Sequence, residues 1–426
     1  MLAACRFQRI VSWQLNNPMG FIQDYLEYNN GNECPRNFHM WTAIVILSAA
    51  VSRRVYVKRG YFTHYPGLYV ALVGEQGDGK SSAKDIGKDL LMEALPDVPI
   101  AASVTTREAI CKFMASSESI RTYTDENGQL VEYHPYTLFV NELKNFLSVN
   151  PSGMINFLTD VYDVSNFINE TKGKGTDIIP KPFLTMLACE TPEWMIKNFR
   201  LETITGGFSR RLIIVYEIDS GTIKPRPAPP ENSKVLFAKL KAHLKQLPLL
   251  KGEFKWTPEA VEFWDLWYVK NKAVANDCTD PIMRGYLKTK HVQLIKVVMN
   301  LAIAEYEPKL LLTQDLFMQG LAILDSIEKN MPKLSVAAGR NDLALPQQQI
   351  IELLERSGGI LPEQELKRHS AKDLNPNEQF AVLNFLKSTK QIYYGKQVHG
   401  KVERMMIMTE AHYAKEVKAG NIKEII

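Results

Sequence analysis

Residues 67–82 constrain the fold most strongly, because an apolar segment runs there directly into a glycine-rich turn. The sequence is GLYVALV followed by GEQGDGKSS, and the residues after it, AKDIGKDLLMEAL, have the composition of a helix. An apolar run of this length is typical of a strand that is buried on both faces of a parallel sheet. A strand, a tight turn and a helix in this order predict an α/β architecture.

The turn has the spacing G-x-x-x-x-G-K-S between Gly74 and Ser81. Glycines allow positive φ angles and close approach of the backbone, and free N–H groups at a helix start attract anions. The pattern therefore predicts a phosphate-binding loop, in which Lys80 reaches the β- and γ-phosphates of ATP and Ser81 ligates Mg²⁺. The predicted nucleotide-binding residues are Gly74, Glu75, Gln76, Gly77, Asp78, Gly79, Lys80, Ser81 and Ser82.

The composition of the chain is that of a globular protein with two or three domains. Its 426 residues are 45% hydrophobic and 23% charged, with a net charge of +4. The longest apolar run, residues 41–51, is shorter than the ~20 residues of a membrane-spanning helix, so we expect no membrane association. Five scattered cysteines without a CxxC pair argue against disulfides and zinc clusters, and they favour a cytoplasmic location.

Strand and helix patterns alternate after the loop. The apolar segments PIAASV, YTLFVNE, FLTMLACE and RRLIIVYE predict further strands, and Thr105 with Glu108 predicts a capped helix start. A proline-rich segment at 219–233 predicts a linker, and the C-terminal helices followed by a hairpin predict a winged helix. The predicted domains are an N-terminal helical segment (1–52), an α/β core (53–218), a linker with a helical lid or collar (219–340) and a winged-helix-like domain (341–426).

Hydrolysis of a nucleotide also requires an acidic residue that orients or deprotonates water. The apolar segment YTLFV ends in Asn141 and Glu142. We predict Glu142 as the catalytic base and, with Asn141 and Ser81, as part of the Mg²⁺ site. Asn141 carries no charge, which predicts weaker metal binding. The alternative is a helix start, with Glu142 in the first turn because of the helix dipole.

Three further polar residues flank the later strands. Thr191 follows FLTMLACE and is a candidate for contact with the attacking water or the γ-phosphate, although Pro192 equally predicts that Thr191 caps a helix. Arg210 and Arg211 open the fourth strand, where paired arginines fit a buried core poorly. We predict that they act on the ATP of a neighbouring subunit; ordinary surface arginines are the alternative.

The order of these segments resembles that of phage- and mobile-element-encoded primase/helicase-type P-loop ATPases, which are relatives of superfamily III and AAA+ replicative helicases. The resemblance covers roughly residues 20–218, through EYNNGNECPRNFHMWTAIVILSAAVSRRVYV, GEQGDGKSS, LFVNEL, FLTDVYDVSNFINETKGKGTDIIPKPFLTMLACETPEWM and GGFSRRLIIVYE. It implies an AAA+-like P-loop ATPase core with an N-terminal helical leader. It also implies a ring, usually a hexamer, with ATP between subunits and nucleic acid in the pore.

Carried over by position, the resemblance assigns a role to each candidate. Lys80 and Ser81 match the Walker A pair, and Glu142 matches the Walker B acid. Thr191 falls in the region of sensor 1. Arg211 matches the finger arginine, and Arg210 is an additional arginine beside it. Asn141 departs from the family, which usually has Asp at that position. The expected location is the cytoplasm of a bacterial cell.

Two basic segments are candidates for contact with nucleic acid. In the related motors the hairpin before sensor 1 projects into the pore, and here NETKGKGTD supplies Lys172 and Lys174. In the predicted winged helix the candidates are Lys387, Lys390, Lys396, Lys401 and Arg404. There Tyr393 and Tyr394 either stack on bases or pack within a strand. Solvated lysines in the hairpin and a protein-binding winged helix are the alternatives.

Together these features predict an ATP-hydrolysing, ring-forming DNA helicase or translocase for the replication of a phage or mobile element. Its cofactors would be ATP and Mg²⁺, and its partners single-stranded DNA, duplex DNA at the winged helix, and further copies of itself. The alternative is a nucleotide-switched DNA-binding protein, such as an origin binder or helicase loader, which Asn141 favours. A P-loop kinase is a third hypothesis, weakened by the absence of a recognisable acceptor site.

Overall fold

The computed structural model of the chain describes residues 20–102, 104–148, 150–163, 166–171, 175–198, 207–217, 222–279, 281–331, 344–371, 374–399, 402–419 and 422–424. The chain forms two compact units, Met1–Ser335 and Val336–Ile426. Among the described residues, no helix is both long enough and apolar enough to cross a membrane.

The first unit alternates helices with strands. Its helices are α1 (Phe21–Tyr28), α2 (Arg36–Val51), α3 (Lys80–Ala94), α4 (Arg107–Met114), α5 (Leu143–Ser148), α6 (Pro151–Asp160), α7 (Pro192–Asn198), α8 (Ser233–Gln246), α9 (Pro258–Asp277), α10 (Pro281–Ala304) and α11 (Gln314–Glu328). Its strands are β1 (Val55–Arg59), β2 (Phe62–His64), β3 (Tyr69–Val73), β4 (Arg121–Thr124), β5 (Leu130–Val140), β6 (Asn166–Thr171), β7 (Gly175–Pro180), β8 (Pro182–Glu190), β9 (Leu212–Tyr216), β10 (Gly252–Glu253), β11 (Lys255–Trp256) and β12 (Leu311–Leu312). The predicted strand, turn and helix are present as β3, residues 74–79 and α3.

A five-stranded, mostly parallel sheet forms the centre of this unit, with the strand order β4-β5-β8-β3-β9. Strands β5, β8, β3 and β9 are parallel, and β4 is antiparallel to β5. The register pairs Val73 with both Glu190 and Tyr216, and Val140 with Ala188. The carboxyl ends of β3, β5 and β8 therefore meet at one edge of the sheet, with β8 in the middle.

Two hairpins lead into strands of the sheet at its opposite, amino edge. Strands β6 and β7 pair in antiparallel fashion and lead into β8. Strands β1 and β2 form a second hairpin, which leads into β3. Because the parallel strands start at this edge, the residues that precede β9 also lie there, a full strand length from the turn 74–79.

One hydrophobic core joins the helices before the sheet, the sheet and the helices after it. At its centre is α2, in which every residue from Phe38 to Val51 is buried. A helix that is surrounded on all sides has no polar face, and this explains the apolar run 41–51. Other members of the core are Phe21, Leu72, Leu294 and Phe317.

Two local predictions are wrong. The segment predicted as a strand at 99–104 makes, in its described part, only an isolated parallel bridge between Ile100 and Thr137. Helix α4 is capped by Thr106 rather than Thr105, because Thr106 has the extended backbone of a cap and its hydroxyl accepts from the Ala109 N–H at 3.3 Å.

The second unit has a small sheet and four helices among its described residues. Its elements are α12 (Ala344–Arg356), β13 (Ile360–Pro362), α13 (Glu363–Ser370), α14 (Pro376–Ser388), β14 (Tyr393–His399), β15 (Val402–Met408), α15 (Glu410–Lys418) and β16 (Ile422–Glu424). The sheet is antiparallel, in the order β13-β15-β14-β16. Leu354, Leu366, Val382 and Ile407 belong to its own hydrophobic core. A capping box of Asn375 and Glu378 begins α14.

Candidate functional site

The turn between β3 and α3 folds around the side chain of Lys80. Its ammonium group donates hydrogen bonds to the carbonyl oxygens of Gly74, at 2.6 Å, and Glu75. Gly77 and Gly79 have φ angles of 99° and 77°, in the left-handed region that favours glycine. Lys80, only 9% exposed, is therefore held at the inner face of the loop.

Two side chains brace this turn from outside. The carboxylate of Asp78 accepts a hydrogen bond from the N–H of Glu75 at 2.6 Å. The thiol of Cys34, from the segment between α1 and α2, donates to the carbonyl oxygen of Gly79 at 3.3 Å. A methyl group on Gly79 would lie 2.4 Å from the sulfur of Cys34, so glycine is required there for space as well as for conformation.

A cavity of about 850 Å³ opens beside the turn, at the carboxyl edge of the sheet. This volume is in the range of cofactor-binding sites. From the turn and α3, it is lined by Gln76, Gly77, Gly79, Lys80, Ser81 and Ser82. From the ends of β5 and β8, it is lined by Asn141, Glu142 and Thr191. The predicted residues Gly74, Glu75 and Asp78 instead shape the turn from behind.

Glu142 lies at the start of a helix and also lines the cavity, which are the two alternatives that the sequence left open. It directly precedes α5, and its carbonyl oxygen accepts from the N–H of Phe146 at 3.2 Å, as at a helix start. Its carboxylate lines the cavity and accepts a hydrogen bond from the side-chain amide of Asn145 at 2.6 Å. A helix start and a position facing the cavity therefore coexist.

The donor set of the cavity fits Mg²⁺ only in combination with a nucleotide. The described residues contain no cluster of three or more His, Cys, Asp or Glu side chains that could hold a metal ion. Magnesium is commonly bound through one or two carboxylates, with phosphate oxygens and water completing its octahedron. The Ser81 hydroxyl, the Asn141 amide and the Glu142 carboxylate in one cavity match that requirement.

Thr191 also has two roles in the structure. Its hydroxyl accepts from the N–H of Trp194 at 3.5 Å, which caps the start of α7. The same residue lines the cavity. Capping α7 therefore leaves Thr191 facing the cavity, where it can contact a bound group.

Glu190, the last residue of β8, is a site residue that the sequence analysis missed. It lines the cavity and is only 5% exposed. Its two carboxylate oxygens accept from the backbone N–H groups of Lys144 and Thr191, each at 2.7 Å. The charged end of the otherwise uncharged strand FLTMLAC, just before Thr191, was the available clue.

The remaining residues that line the cavity are Lys144, Cys189, Glu193 and Trp194. Burial raises the pKa of the Cys189 thiol to about 12, so this side chain is a neutral wall of the cavity. Glu193 is exposed. Among the described lining residues, the cations are Lys80 and Lys144.

Arg210 and Arg211 lie at the amino edge of the sheet, away from this cavity. Leu212 pairs with Tyr69 at the start of β3, so five residues of strand, about 16 Å, separate Arg211 from the turn. The guanidinium of Arg211 donates to the carbonyl oxygen of Gly207 at 2.7 Å and lies 5.5 Å from the ring of Tyr162. Neither arginine can therefore reach a nucleotide in the cavity of its own chain.

The nucleic-acid candidates fall in different regions. Lys172 and Lys174, between β6 and β7, and Lys401 lie outside the described residues. Lys387, Lys390, Lys396 and Arg404 are exposed in the second unit. Tyr393 packs on the ring of Tyr413 at 4.8 Å, and Tyr394 packs against the core, which supports the packing interpretation of both tyrosines.

Comparison with known proteins identified no relative of this chain. No family model matches the chain, and the search of curated proteins finds no significant match. The function of the site therefore has to be inferred from its residues and their positions.

Proposed function

We propose that this protein is an ATP-hydrolysing, ring-forming DNA helicase or translocase that serves the replication of a phage or mobile element. The observation that carries the proposal is the cavity in which Lys80 and Ser81 face Glu142 and Thr191. Hydrolysis of a nucleotide needs a phosphate cradle and an acidic residue that orients water, and we assign the turn with Lys80 to the first task and Glu142 to the second.

Each residue of the cavity has a specific task in this proposal. The N–H groups of residues 76–81 bind the β- and γ-phosphates, and the ammonium of Lys80 neutralises their charge. Glu142 orients or deprotonates the attacking water, and the Thr191 hydroxyl contacts that water or the γ-phosphate. Bound through Ser81, Mg²⁺ would supply further neutralisation of charge on the phosphates.

In this proposal Arg211 acts on the ATP of a neighbouring copy, which would require assembly into an oligomer. Charge that develops on the γ-phosphate during hydrolysis is commonly stabilised by an arginine. Arg211 lies a strand length from the cavity of its own chain, so it can serve only the cavity of a neighbouring copy. A site that is completed between subunits requires an oligomer, and the resemblance to ring-forming motors favours a hexamer.

Contacts with DNA are proposed for two regions. The sequence between β6 and β7, which contains Lys172 and Lys174, would follow the phosphates of a single strand in the pore. The second unit has three helices, α12 to α14, followed by the β14–β15 hairpin, an order that supports a winged helix. Its exposed Lys387 and Lys396 favour a duplex backbone as its partner.

A nucleotide-switched DNA-binding protein is the second candidate, and the neutral amide of Asn141 in the cavity favours it. An origin binder or helicase loader needs ATP binding but little turnover. Weak Mg²⁺ binding would slow hydrolysis without abolishing nucleotide affinity.

A steady-state ATPase assay with and without single-stranded DNA, together with a mass measurement in ATP, tests the proposal. We expect DNA-stimulated turnover and a ring. Lys80→Ala should abolish nucleotide binding, and Glu142→Gln should retain binding but lower turnover by about 10²- to 10⁴-fold. Lys88→Ala removes the same charge from α3, two turns beyond the cavity, and should leave both unchanged.

Three outcomes separate the candidates. Turnover that is unaffected by Lys80→Ala and Glu142→Gln contradicts the motor. ATP binding with negligible turnover and tight, sequence-specific duplex binding favours the nucleotide-switched protein. No affinity for adenine nucleotides, measured by calorimetry with Mg²⁺, rejects both.

A further inference from the structure

We propose that Glu190 is a positioning residue of this site: its carboxylate fixes the start of α5, and with it Glu142, and also fixes Thr191. The inference rests on the proposed hydrolysis of ATP. It concerns a residue to which neither the sequence motifs nor the family resemblance gives a role.

Glu190 lies between the loop and the acidic segment at the carboxyl edge of the sheet. The register pairs it with Val73, the last residue before the loop, and its carbonyl oxygen accepts from the Gly74 N–H at 3.3 Å. On the other side, β5 pairs with β8 up to Val140 and Ala188. Glu142 and Glu190 each follow this pair by two residues on their own chain segments.

The two carboxylate oxygens of Glu190 have separate partners. Oε2 accepts from the N–H of Lys144, which is the second residue of α5 and has no acceptor within the helix's first turn. Oε1 accepts from the N–H of Thr191, with the Thr191 hydroxyl 3.4 Å away. One buried side chain thus ties together the first turn of α5 and the backbone of Thr191.

The start of α5 determines where Glu142 lies. Glu142 is the residue immediately before α5, and its carboxylate is bound to Asn145 in the first turn. A shift of the first turn therefore moves the Glu142 carboxylate within the cavity. Displacement of a catalytic group by about 1 Å can cost about 100-fold in rate.

The chemistry of the contacts requires a carboxylate. Both N–H groups are donors, so Glu190 must present two acceptors, as an ionised carboxylate does. A glutamine side chain has nearly the same volume as glutamate, but it would direct its NH₂ group at one of these donors. Glu190→Gln is therefore a small change in shape that breaks one of the two contacts.

Glu193 provides a matched control in the same cavity. It is exposed, whereas Glu190 is buried. Glu193→Gln removes the same charge from the same cavity without touching the contacts to Lys144 and Thr191. Any effect of cavity charge alone should appear in both variants.

The test uses the full chain and two measurements, amide hydrogen exchange and ATPase kinetics. In Glu190→Gln we expect faster exchange at the N–H groups of Lys144 or Thr191 and a kcat that is about 10- to 100-fold lower. The KM for ATP should change by less than about threefold, because the phosphate-binding loop remains intact. Glu193→Gln should leave exchange at both N–H groups as in the wild type, and any change in kcat that it causes measures the effect of cavity charge alone.

A double variant tests whether Glu190 acts through Glu142. If it does, adding Glu190→Gln to Glu142→Gln should lower kcat by a smaller factor than Glu190→Gln lowers it in the wild type, with the remaining loss due to Thr191. Multiplied losses, or equal effects of Glu190→Gln and Glu193→Gln, would overturn the proposal. So would unchanged exchange at both N–H groups.

Two further outcomes are also decisive. If Glu190→Gln does not fold, Glu190→Asp undergoes the same measurements. Its side chain is one methylene shorter and should not reach both N–H groups, so unchanged exchange with unchanged kcat overturns the proposal. If the wild type hydrolyses no ATP, the proposed function fails and the catalytic part of this inference fails with it. The exchange result then decides only whether Glu190 holds Lys144 and Thr191 in place.

Discussion

The sulfur of Cys34 lies 3.3 Å from the carbonyl oxygen of Gly79, to which it donates a hydrogen bond. Through this contact the segment between α1 and α2 forms an outer wall of the turn 74–79, for which we propose phosphate binding. The N-terminal helices are therefore part of the candidate site, since they limit the space that the turn can occupy.

We expect Gly79→Ala to weaken ATP binding at least tenfold. The new methyl group would meet the Cys34 sulfur at 2.4 Å, and an alanine in the left-handed region costs about 1–2 kcal/mol. The two effects together should displace the turn from the position that binds phosphate. Calorimetric titration with ATP and Mg²⁺ measures the loss.

Gly128→Ala is the matched control for Gly79→Ala. Gly128 has the same φ angle of 77°, but a methyl group there would meet nothing within 4 Å. It should lower stability by a similar conformational cost and leave ATP affinity unchanged. Equal ATP affinities in the two variants would show that the Cys34 contact does not constrain the turn.

Arg211→Ala should lower the rate of ATP hydrolysis by about 10³-fold or more while ATP binding persists. In the proposed ring its loss would affect the cavity of the adjacent subunit, because Arg211 lies at the amino edge of the sheet, away from the cavity of its own chain. Mixing Arg211→Ala with Lys80→Ala chains should restore part of the activity, because an intact cavity then meets an intact arginine. Arg226→Ala removes an exposed arginine to which no role in the site is assigned, and it serves as the control. Absence of complementation in mixed rings contradicts the assignment in trans.

The local features of the site could be predicted from the sequence. The turn 74–79, β3 and the start of α3 follow from glycine spacing and an apolar run, which are properties of neighbouring residues. Thr106 was missed as the cap of α4 because two adjacent threonines offer the same hydroxyl and only the backbone conformation distinguishes them.

Features that depend on strand pairing could not be predicted in the same way. Glu190 is buried because β8 lies between β3 and β5, and that order is not encoded in the segment FLTMLACE itself. The distance between Arg211 and the cavity likewise follows from the parallel register of β3 and β9. Composition and motif spacing identify candidate residues, whereas the sheet decides which of them share a cavity.

The basic residues of the second unit should determine its affinity for duplex DNA. Replacing Lys387, Lys390, Lys396 and Arg404 with Gln removes up to four phosphate contacts. The slope of log K against log salt should then become less steep by about 3 to 4. Fluorescence anisotropy with a short labelled duplex at several salt concentrations measures this slope.

Phe380→Ala is the control that separates DNA from protein as the partner of this unit. Phe380 is 69% exposed on α14, where it offers an apolar contact without charge. If the unit binds a DNA backbone, its loss should leave the salt slope unchanged. A quadruple Gln variant that binds duplex as tightly as the wild type would favour a protein partner instead.

Acidification should destabilise the first unit through His39, which is buried in α2. Burial lowers the pKa of His39 to about 4, from an ordinary value of 6.5. Its Nε2 is bonded to the Asn32 side chain at 2.9 Å, and its Nδ1 has no partner among the described residues. A second proton would therefore place a charge and an unpaired N–H group in the core.

The direction of the effect follows from the lowered pKa. Between about pH 6.5 and pH 4 the unfolded chain binds a proton at His39 that the folded chain does not, so stability falls as pH decreases. From pH 7.5 to pH 5 the loss from this residue should be about 2 kcal/mol, and His39→Gln should lack that part of the pH dependence. All six tryptophans belong to the first unit, so tryptophan fluorescence during urea unfolding follows this unit alone. His369→Gln, at an exposed histidine, is the control. An equal pH dependence of stability in the wild type and in His39→Gln would contradict the assignment of this effect to His39.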